Sequence, residues 1–289
     1  MRNRLAVLFQ YILPKQAITL FAGKFASRPC GRLTTAVIRW FVKRYKVNMT
    51  EAAEPDISRY DTFNEFFTRP LRDDARPIAA VDFICPVDGA ISQFGNIRHK
   101  QIYQAKNHEY STSSLLGGNH QLAEKFDDGS FATLYLSPKD YHRIHMPCEG
   151  RLKSMTYVPG SLFSVNPVTV QGVPGLFARN ERVICEFESE NTGTFVMVLV
   201  GATIVGSMAT RWHGVINTPC SNHIRVWLYE DEVITLAQGK EMGRFLLGST
   251  VIMLFPAQCL EFCSHWAAGN PVRMGEQMGS ARRKLESSN

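Results

Sequence analysis

The sequence predicts an α+β fold in which N-terminal amphipathic helices precede a mostly antiparallel β-sheet body. Residues 1–50 carry apolar side chains at helical spacing, whereas short apolar runs separated by glycine turns begin at about residue 78. These runs do not alternate with long helices, which disfavours a doubly wound parallel sheet. With 289 residues, of which 45% are hydrophobic, the chain can build a sizeable core.

The N-terminal arm, residues 1–50, is strongly basic. It holds ten of the 32 Lys and Arg residues and none of the 26 Asp and Glu residues. Its apolar residues at helical spacing are Leu5, Leu8, Phe9 and Ile12, and then Val37, Ile38, Phe41 and Tyr45. Basic amphipathic helices suit an anionic lipid surface, and no zinc-finger or RNA-recognition signature indicates nucleic acid. Packing of the same apolar face on the body is the alternative.

The composition also bears on location. Prolines and charged residues interrupt the apolar runs of the arm, which fall short of the ~20 apolar residues of a spanning helix, and no secretory signal pattern is present. Seven cysteines do not indicate a disulfide framework, and Cys259 and Cys263 lack a second ligand pair for zinc. We therefore expect reduced thiols, no metal, and a peripheral protein on the cytoplasmic face of the cell membrane.

The helical region is expected to end in a short capped helix and a linker. Thr62 and Glu65 stand at capping-box spacing, and the turn-rich segment Arg69–Pro77 predicts a boundary between a membrane-associating region, 1–76, and a body, 77–289. Strands are predicted at Phe131–Leu136, Arg182–Phe187, Phe195–Val200, His223–Leu228 and Thr250–Phe255.

Four residues are candidates for chemistry: Asp88, His142, His145 and Ser249. A serine, a histidine and an aspartate suit a nucleophile, a base and an orienting group. Each residue also has a plainer interpretation: Ser249 as a turn hydroxyl, His142 and His145 as a structural pair, and Asp88 as a turn aspartate. Ser249 also lacks the glycine two residues later that a hydrolase elbow needs.

The segment Ser137–Pro147 contains both histidines. Ser137 is a good N-cap, Pro138 suits a first helical position and Asp140 completes a capping pattern, so a single helical turn is predicted. Such a turn would let His142 and His145 face one pocket.

Three segments taken together resemble phosphatidylserine decarboxylase proenzymes of the bacterial, membrane-associated type: Val87–Gly89, Asp140–Pro147 and Leu247–Thr250. Further matching stretches are Phe63–Arg69, Leu115–Gly118, Asn180–Arg182 and Val200–Gly206. They occur in order between about residues 60 and 256, whereas the last ~30 residues match nothing recognisable.

The resemblance implies a self-processing enzyme that converts phosphatidylserine to phosphatidylethanolamine and CO2 at a membrane surface. Ser249 Oγ would attack the Gly248 carbonyl, giving an ester by an N-to-O acyl shift. A β-elimination would then release residues 1–248, and loss of ammonia would leave a pyruvoyl group on residues 249–289. That carbonyl would form a Schiff base with the substrate's amine and accept electrons as CO2 departs.

The same resemblance assigns roles. Asp88 would orient His145 as the base of the cleavage, and His142 is the candidate acid for reprotonation, with His145 as its alternative. The implied partners are phosphatidylserine, an anionic membrane and the two associated chains, with homodimer formation left open. The alternatives are a pyruvoyl decarboxylase of a soluble amino acid, a membrane-associated Ser-His-Asp hydrolase without self-cleavage, and a non-catalytic membrane module.

Overall fold

The computed structural model describes residue 8 and residues 10–105, 108–203, 208–216, 222–246 and 250–282. Gly248 and Ser249 lie outside the described residues, as do Leu5 and Phe9 of the arm. The described chain confirms the predicted α+β class, with helices first and mostly antiparallel sheets after them. No helix within these ranges is both long enough and apolar enough to cross a bilayer.

The N-terminal part is helical, as predicted. Its elements are α1 (Lys15–Ala26), α2 (Arg32–Tyr45), 3₁₀ turns at Met49–Glu51 and Ile57–Arg59, and α3 (Phe63–Phe67). The capping box at Thr62 and Glu65 is confirmed, since each side chain accepts from the backbone N–H of the other end of the turn.

A small apolar core joins the N-terminal helices to one another. Ile38 of α2 is fully buried, and the Phe41 ring contacts Phe63, Phe66 and Phe67 of α3 with ring centroids 5.2, 5.9 and 6.0 Å apart. One face of α2 therefore packs on α3, which belongs to the helical region 1–76 rather than to the body. The domain boundary near residue 76 remains a prediction.

The body is built from eighteen strands among the described residues. In chain order they are β1 (Phe83–Ile84), β2 (Gly89–Asn96), β3 (Gln101–Ala105), β4 (His108–Ser111), β5 (Ser130–Tyr135), β6 (Arg143–His145), β7 (Gly150–Val158), β8 (Arg182–Ser189), β9 (Gly193–Val200), β10 (Met208–Thr210), β11 (Gly214–Val215), β12 (Arg225–Leu228), β13 (Thr235–Leu236), β14 (Glu241–Phe245), β15 (Thr250–Phe255), β16 (Leu260–Phe262), β17 (Pro271–Val272) and β18 (Gln277–Ala281). The five predicted strands are confirmed, with ends that differ by at most two residues.

The strands form four antiparallel sheets. The largest runs β12-β7-β8-β9-β15-β5-β2-β17, with β13 also on β7; the others are β11-β10-β14-β6, β1-β18-β16 and the pair β3-β4. Short helices fill the connections: α4 (Thr112–Leu115), α5 (His120–Glu124), α6 (Pro167–Gly172) and α7 (Leu176–Arg179).

Strand β15 is central and buried on both faces. Val251, Met253 and Phe255 join one apolar cluster, whereas Ile252 and Leu254 join the other. Its backbone pairs with β5 on one side and β9 on the other. This double burial explains why the segment is apolar throughout rather than alternating.

Candidate active site

The histidine segment does not form the predicted helical turn. Asp140 Oδ2 accepts hydrogen bonds from the Ser137 N–H and hydroxyl, each at 2.7 Å, but the chain then extends into β6. Strand β6 pairs with β14 about 100 residues later, so tertiary pairing overrides the local capping signal. The helical turn that would let both histidines face one pocket is therefore absent: the His142 ring stacks on Phe67, whereas His145 contacts Tyr141 and Gly239 O.

His145 is buried and held by three contacts. Its backbone N–H donates to Pro86 O at 2.9 Å, and its Nδ1 lies 2.8 Å from Gly239 O. A carbonyl can only accept, so Nδ1 carries the hydrogen and Nε2 presents its lone pair to the Tyr141 hydroxyl 3.1 Å away. Burial lowers the pKa of His145, which keeps the ring neutral at neutral pH.

His142 has a different environment. Its side chain is fully buried and stacks on Phe67, with ring centroids 4.0 Å apart and planes inclined by 18°. Neither ring nitrogen has a well-aligned hydrogen-bond partner among the described residues. Burial, assisted by the charge of Arg69, lowers the pKa of His142 to about 3. A neutral, packed imidazole is therefore present at neutral pH.

Asp88 immediately precedes β2 and is buried. Arg76 donates to its carboxylate from Nε, at 2.9 Å to Oδ1, and from Nη2 to Oδ2, while the Met274 N–H donates to Oδ1 at 2.9 Å. Asp88 makes no hydrogen bond to His145 among the described residues. The imidazole is oriented by Gly239 instead, and Asp88 acts on it only through space, by a charge that favours the protonated ring.

The described strands on either side of the predicted cleavage site belong to different sheets. Strand β14, which pairs with β6, ends at Phe245, and the Phe245 N–H donates to His142 O at 3.0 Å. Strand β15 begins at Thr250 in the nine-stranded sheet, opposite Tyr135 of β5. Ser249 itself lies outside the described residues, but the segments on both sides of it adjoin the histidine segment and the central sheet.

A cavity of about 800 Å³ adjoins these residues. Asp88 and Tyr141 line it together with Tyr135, Arg69 and Arg76. Because Tyr141 contacts His145 Nε2, the tyrosine connects the buried imidazole to the cavity. The cavity therefore combines a substrate-sized space with five cationic side chains, three carboxylates and a route for protons.

Sequence reasoning overlooked three residues of this cavity. Tyr141 lies within Asp140–Pro147, and Arg69 and Arg76 lie in the predicted linker, but no sequence pattern marks any of the three as a site residue. The only signal in the sequence is that Arg69 and Arg76 lie near the two ends of the proline-containing turn segment Arg69–Pro77. A turn pattern alone does not indicate which charged residues fold inward.

Comparisons with known proteins identify close relatives. The sequence model described as phosphatidylserine decarboxylase matches residues 63–280, and one described as PSD matches residues 5–46. The chain is 68% identical to a phosphatidylserine decarboxylase proenzyme of Dechloromonas aromatica (strain RCB), over 97% of this chain and 99% of the relative. Proteins of the same name from Azoarcus sp. (strain BH72) and Herminiimonas arsenicoxydans are 66% and 64% identical, over 96% of this chain in each case and 96% and 94% of the relatives.

Proposed function

The chain belongs to the phosphatidylserine decarboxylase family, and on that premise we propose that it releases CO2 from phosphatidylserine to give phosphatidylethanolamine. It is an enzyme of this family, made as a proenzyme. The observation that carries the proposal is the match along nearly the whole chain to relatives named phosphatidylserine decarboxylase proenzyme. The cavity lined by Tyr141, which contacts His145, and by Tyr135, the backbone partner of Thr250, supports it.

Cleavage between Gly248 and Ser249 would give a large chain, 1–248, and a small chain, 249–289. The flanking strands support this division, because β15 would remain paired to β5 and β9 of the large chain. Strand β17 pairs with β2, and β18 pairs with β1. Three strands of the small chain thus hold it in place after the backbone opens.

The cofactor is a pyruvoyl group derived from Ser249. Such a group supplies an electrophilic carbonyl that binds an amine and takes up the electron pair left by departing CO2. The surroundings fit it: Thr250 Oγ1 is buried without a hydrogen-bond partner among the described residues, so a donor is free beside position 249. Tyr135, the backbone partner of Thr250, lines the cavity that would receive the substrate.

Within the proposed catalytic set of Asp88, His142, His145 and Ser249, we assign proton transfer to His145. Gly239 fixes the hydrogen on Nδ1, so Nε2 is the atom that can accept a proton from the serine side and return one later. Burial lowers the pKa of His145, and the hydrogen bond to Gly239, the charge of Glu241 and, to a smaller extent, the charge of Asp88 oppose that lowering and so stabilise the protonated ring when it forms.

His142 is less suited to donate a proton. With a pKa of about 3 its protonated form is scarce at neutral pH. Its stacking on Phe67 instead fixes the start of β6 against α3. In this proposal His145 takes the role of acid that was first assigned to His142, and Tyr141 carries the proton between His145 and the cavity.

The enzyme acts at the cytoplasmic face of the cell membrane, bound peripherally to anionic lipid. Apolar side chains of the arm are exposed beside its basic residues, among them Ile12 at 72%, Phe21 at 78% and Trp40 at 60%. Each Lys or Arg near an anionic surface contributes about 1 kcal/mol to binding. The residues 1–76 would form the membrane-associating region and 77–289 the catalytic body; association into a homodimer is part of the same proposal.

Two measurements test the function. Purified protein incubated with phosphatidylserine vesicles is expected to release CO2 and phosphatidylethanolamine, while free serine is not consumed. Denaturing mass spectrometry should show two chains divided between Gly248 and Ser249, the smaller one without a free N-terminal amine, and Ser249→Ala should stay intact. Turnover of free serine instead of the lipid, or a wild-type chain that never cleaves, would contradict the proposal.

A further inference from the structure

Arg69 is a buried cation without a counterion. It follows α3, and its side chain is 4% exposed. The guanidinium lies over the Phe66 ring at 5.3 Å, and Nη1 makes one long hydrogen bond, 3.4 Å to Phe66 O. Nε has no partner, and Arg69 forms no ion pair among the described residues.

The other buried arginines of the described chain are satisfied. Arg76 is paired with both Glu51 and Asp88. Arg182 donates to the carbonyls of Leu115, Asn180 and Ser114 at 2.6 to 2.9 Å. Arg69 is therefore the exception, and its unmet donors are not a general property of buried arginines in this fold.

Burying a charge without a partner is costly, and burial accordingly lowers the pKa of Arg69. The charges of Asp88 and Glu51 offset only part of this cost, because both carboxylates are hydrogen-bonded to Arg76 and not to Arg69. Arg69 lines the cavity of about 800 Å³ beside Asp88 and Tyr141. An anion entering that cavity would find a desolvated guanidinium with free donors.

We propose that Arg69 binds the phosphodiester of the substrate headgroup. This inference rests on the proposed function, which supplies a ligand that carries two anions, a phosphodiester and a carboxylate. A cation bound to the reacting carboxylate would stabilise it before CO2 leaves and lose that interaction in the transition state, which opposes the reaction. The phosphodiester keeps its charge throughout, so a cation bound to it anchors the substrate without that penalty.

The test compares Arg69→Gln and Arg69→Lys with Arg182→Gln, which removes an equally buried guanidinium outside the cavity lining. Arg69→Gln is expected to raise KM for phosphatidylserine about 10- to 100-fold, as loss of a charge-assisted hydrogen bond does, with a smaller rise for Arg69→Lys. Inhibition by a short-chain phosphatidylethanolamine, which has the phosphodiester but no carboxylate, should weaken by the same factor. Arg182→Gln should lower the melting temperature and leave KM unchanged.

A binding measurement tests the same contact in protein that has not cleaved itself. In the uncleaved Ser249→Ala protein, Arg69→Gln is expected to weaken calorimetric binding of the same phosphatidylethanolamine by a similar factor. Unchanged KM and unchanged binding would overturn the inference. A KM that rises for phosphatidylserine while phosphatidylethanolamine binds as before would also overturn it, since Arg69 would then hold the carboxylate. Failure of the wild type to decarboxylate phosphatidylserine would instead contradict the proposed function, whatever the Arg69 variants do.

Discussion

Arg76 and Asp88 form a buried ion pair in which two guanidinium nitrogens donate to one carboxylate, at 2.9 Å from Nε to Oδ1. Arg76 also donates to Glu51 at 2.8 Å, and Asp88 accepts from the Met274 N–H. The pair thus connects the end of the helical region, the start of β2 and the segment before β18. Met274 belongs to the proposed small chain and Asp88 to the large one, so the hydrogen bond between them would link the two chains after cleavage.

Arg76→Gln is expected to lower the free energy of unfolding by about 3 to 5 kcal/mol, because it leaves Asp88 as a buried charge without its cation. The uncleaved Ser249→Ala protein is the suitable background, since a single chain simplifies denaturant titration. Arg72→Gln is the matched control: Arg72 pairs with Asp74 in an exposed position and should change stability by less than about 1 kcal/mol. Equal losses in both variants would contradict the importance of the buried pair.

Tyr141→Phe is expected to slow self-cleavage about 10- to 100-fold while leaving the melting temperature nearly unchanged, because His145 Nε2 loses its only described contact to the cavity. The cleavage rate is measured by gel densitometry after refolding.

The pH dependence of self-cleavage tests His145. The imidazole must be neutral to act as a base, and burial lowers its pKa below 6.5. The wild-type rate should therefore fall only as the pH drops below that value, and an acid limb lying above it would argue against His145 as the base.

The buried, neutral ring of His142 is expected to make the fold sensitive to acid. Its pKa is about 3 in the folded protein against a usual 6.5, so the unfolded chain binds the additional proton. The contribution to the free energy of unfolding is fully present above pH 6.5, the usual pKa of histidine in an unfolded chain. It is lost as the pH falls from 6.5 towards 3, by at most about 1.4 kcal/mol per pH unit. His142→Phe, which can keep the stack on Phe67, should flatten this part of the stability profile, whereas the exposed His265→Gln should not.

Much of the fold could be predicted because local pattern and tertiary environment agree. Thr250–Phe255 reads as a continuous apolar run, and the structure buries both of its faces. Thr62 and Glu65 are three residues apart and cap their own helix. In each case the residues that determine the element lie within the element itself.

The site was less predictable because its contacts are distant in sequence. His145 is oriented by Gly239, 94 residues later, and Ser137–Asp140 has a capping pattern whose outcome is decided by pairing with β14. Arg76 looks like a linker residue until the fold brings Asp88 to it. The resemblance identified Asp88 and His145 as belonging together, but only the structure showed which atoms each of them contacts.

The two proposed chains are expected to stay together without a covalent bond. Strand β15 has all six residues buried and pairs on both edges, so separating the chains exposes a strand from the middle of the sheet. Cleaved protein should elute as one species in gel filtration and separate only in denaturant. Elution of a free chain of residues 249–289 under native conditions would contradict this arrangement.

The exposed apolar side chains of the arm make a membrane test possible that leaves the fold intact. Deleting residues 1–45 would remove Ile38 and Phe41, which pack in the small core with Phe63 and Phe66, so lost vesicle binding could reflect lost structure. Phe21 is 78% exposed and can be changed without disturbing that core.

Phe21→Glu, combined with Ile12→Glu, is therefore expected to reduce co-sedimentation with anionic vesicles at least about tenfold, because each change removes an apolar side chain and adds a charge that anionic lipid repels. Self-cleavage and the melting temperature should match those of the wild type. The control is a double substitution to glutamate at Val226 and Leu228, which are also exposed apolar residues but lie on β12 in the body. Equal losses in both double variants would mean that membrane binding does not depend on the arm, since two added negative charges would then weaken binding wherever they stand.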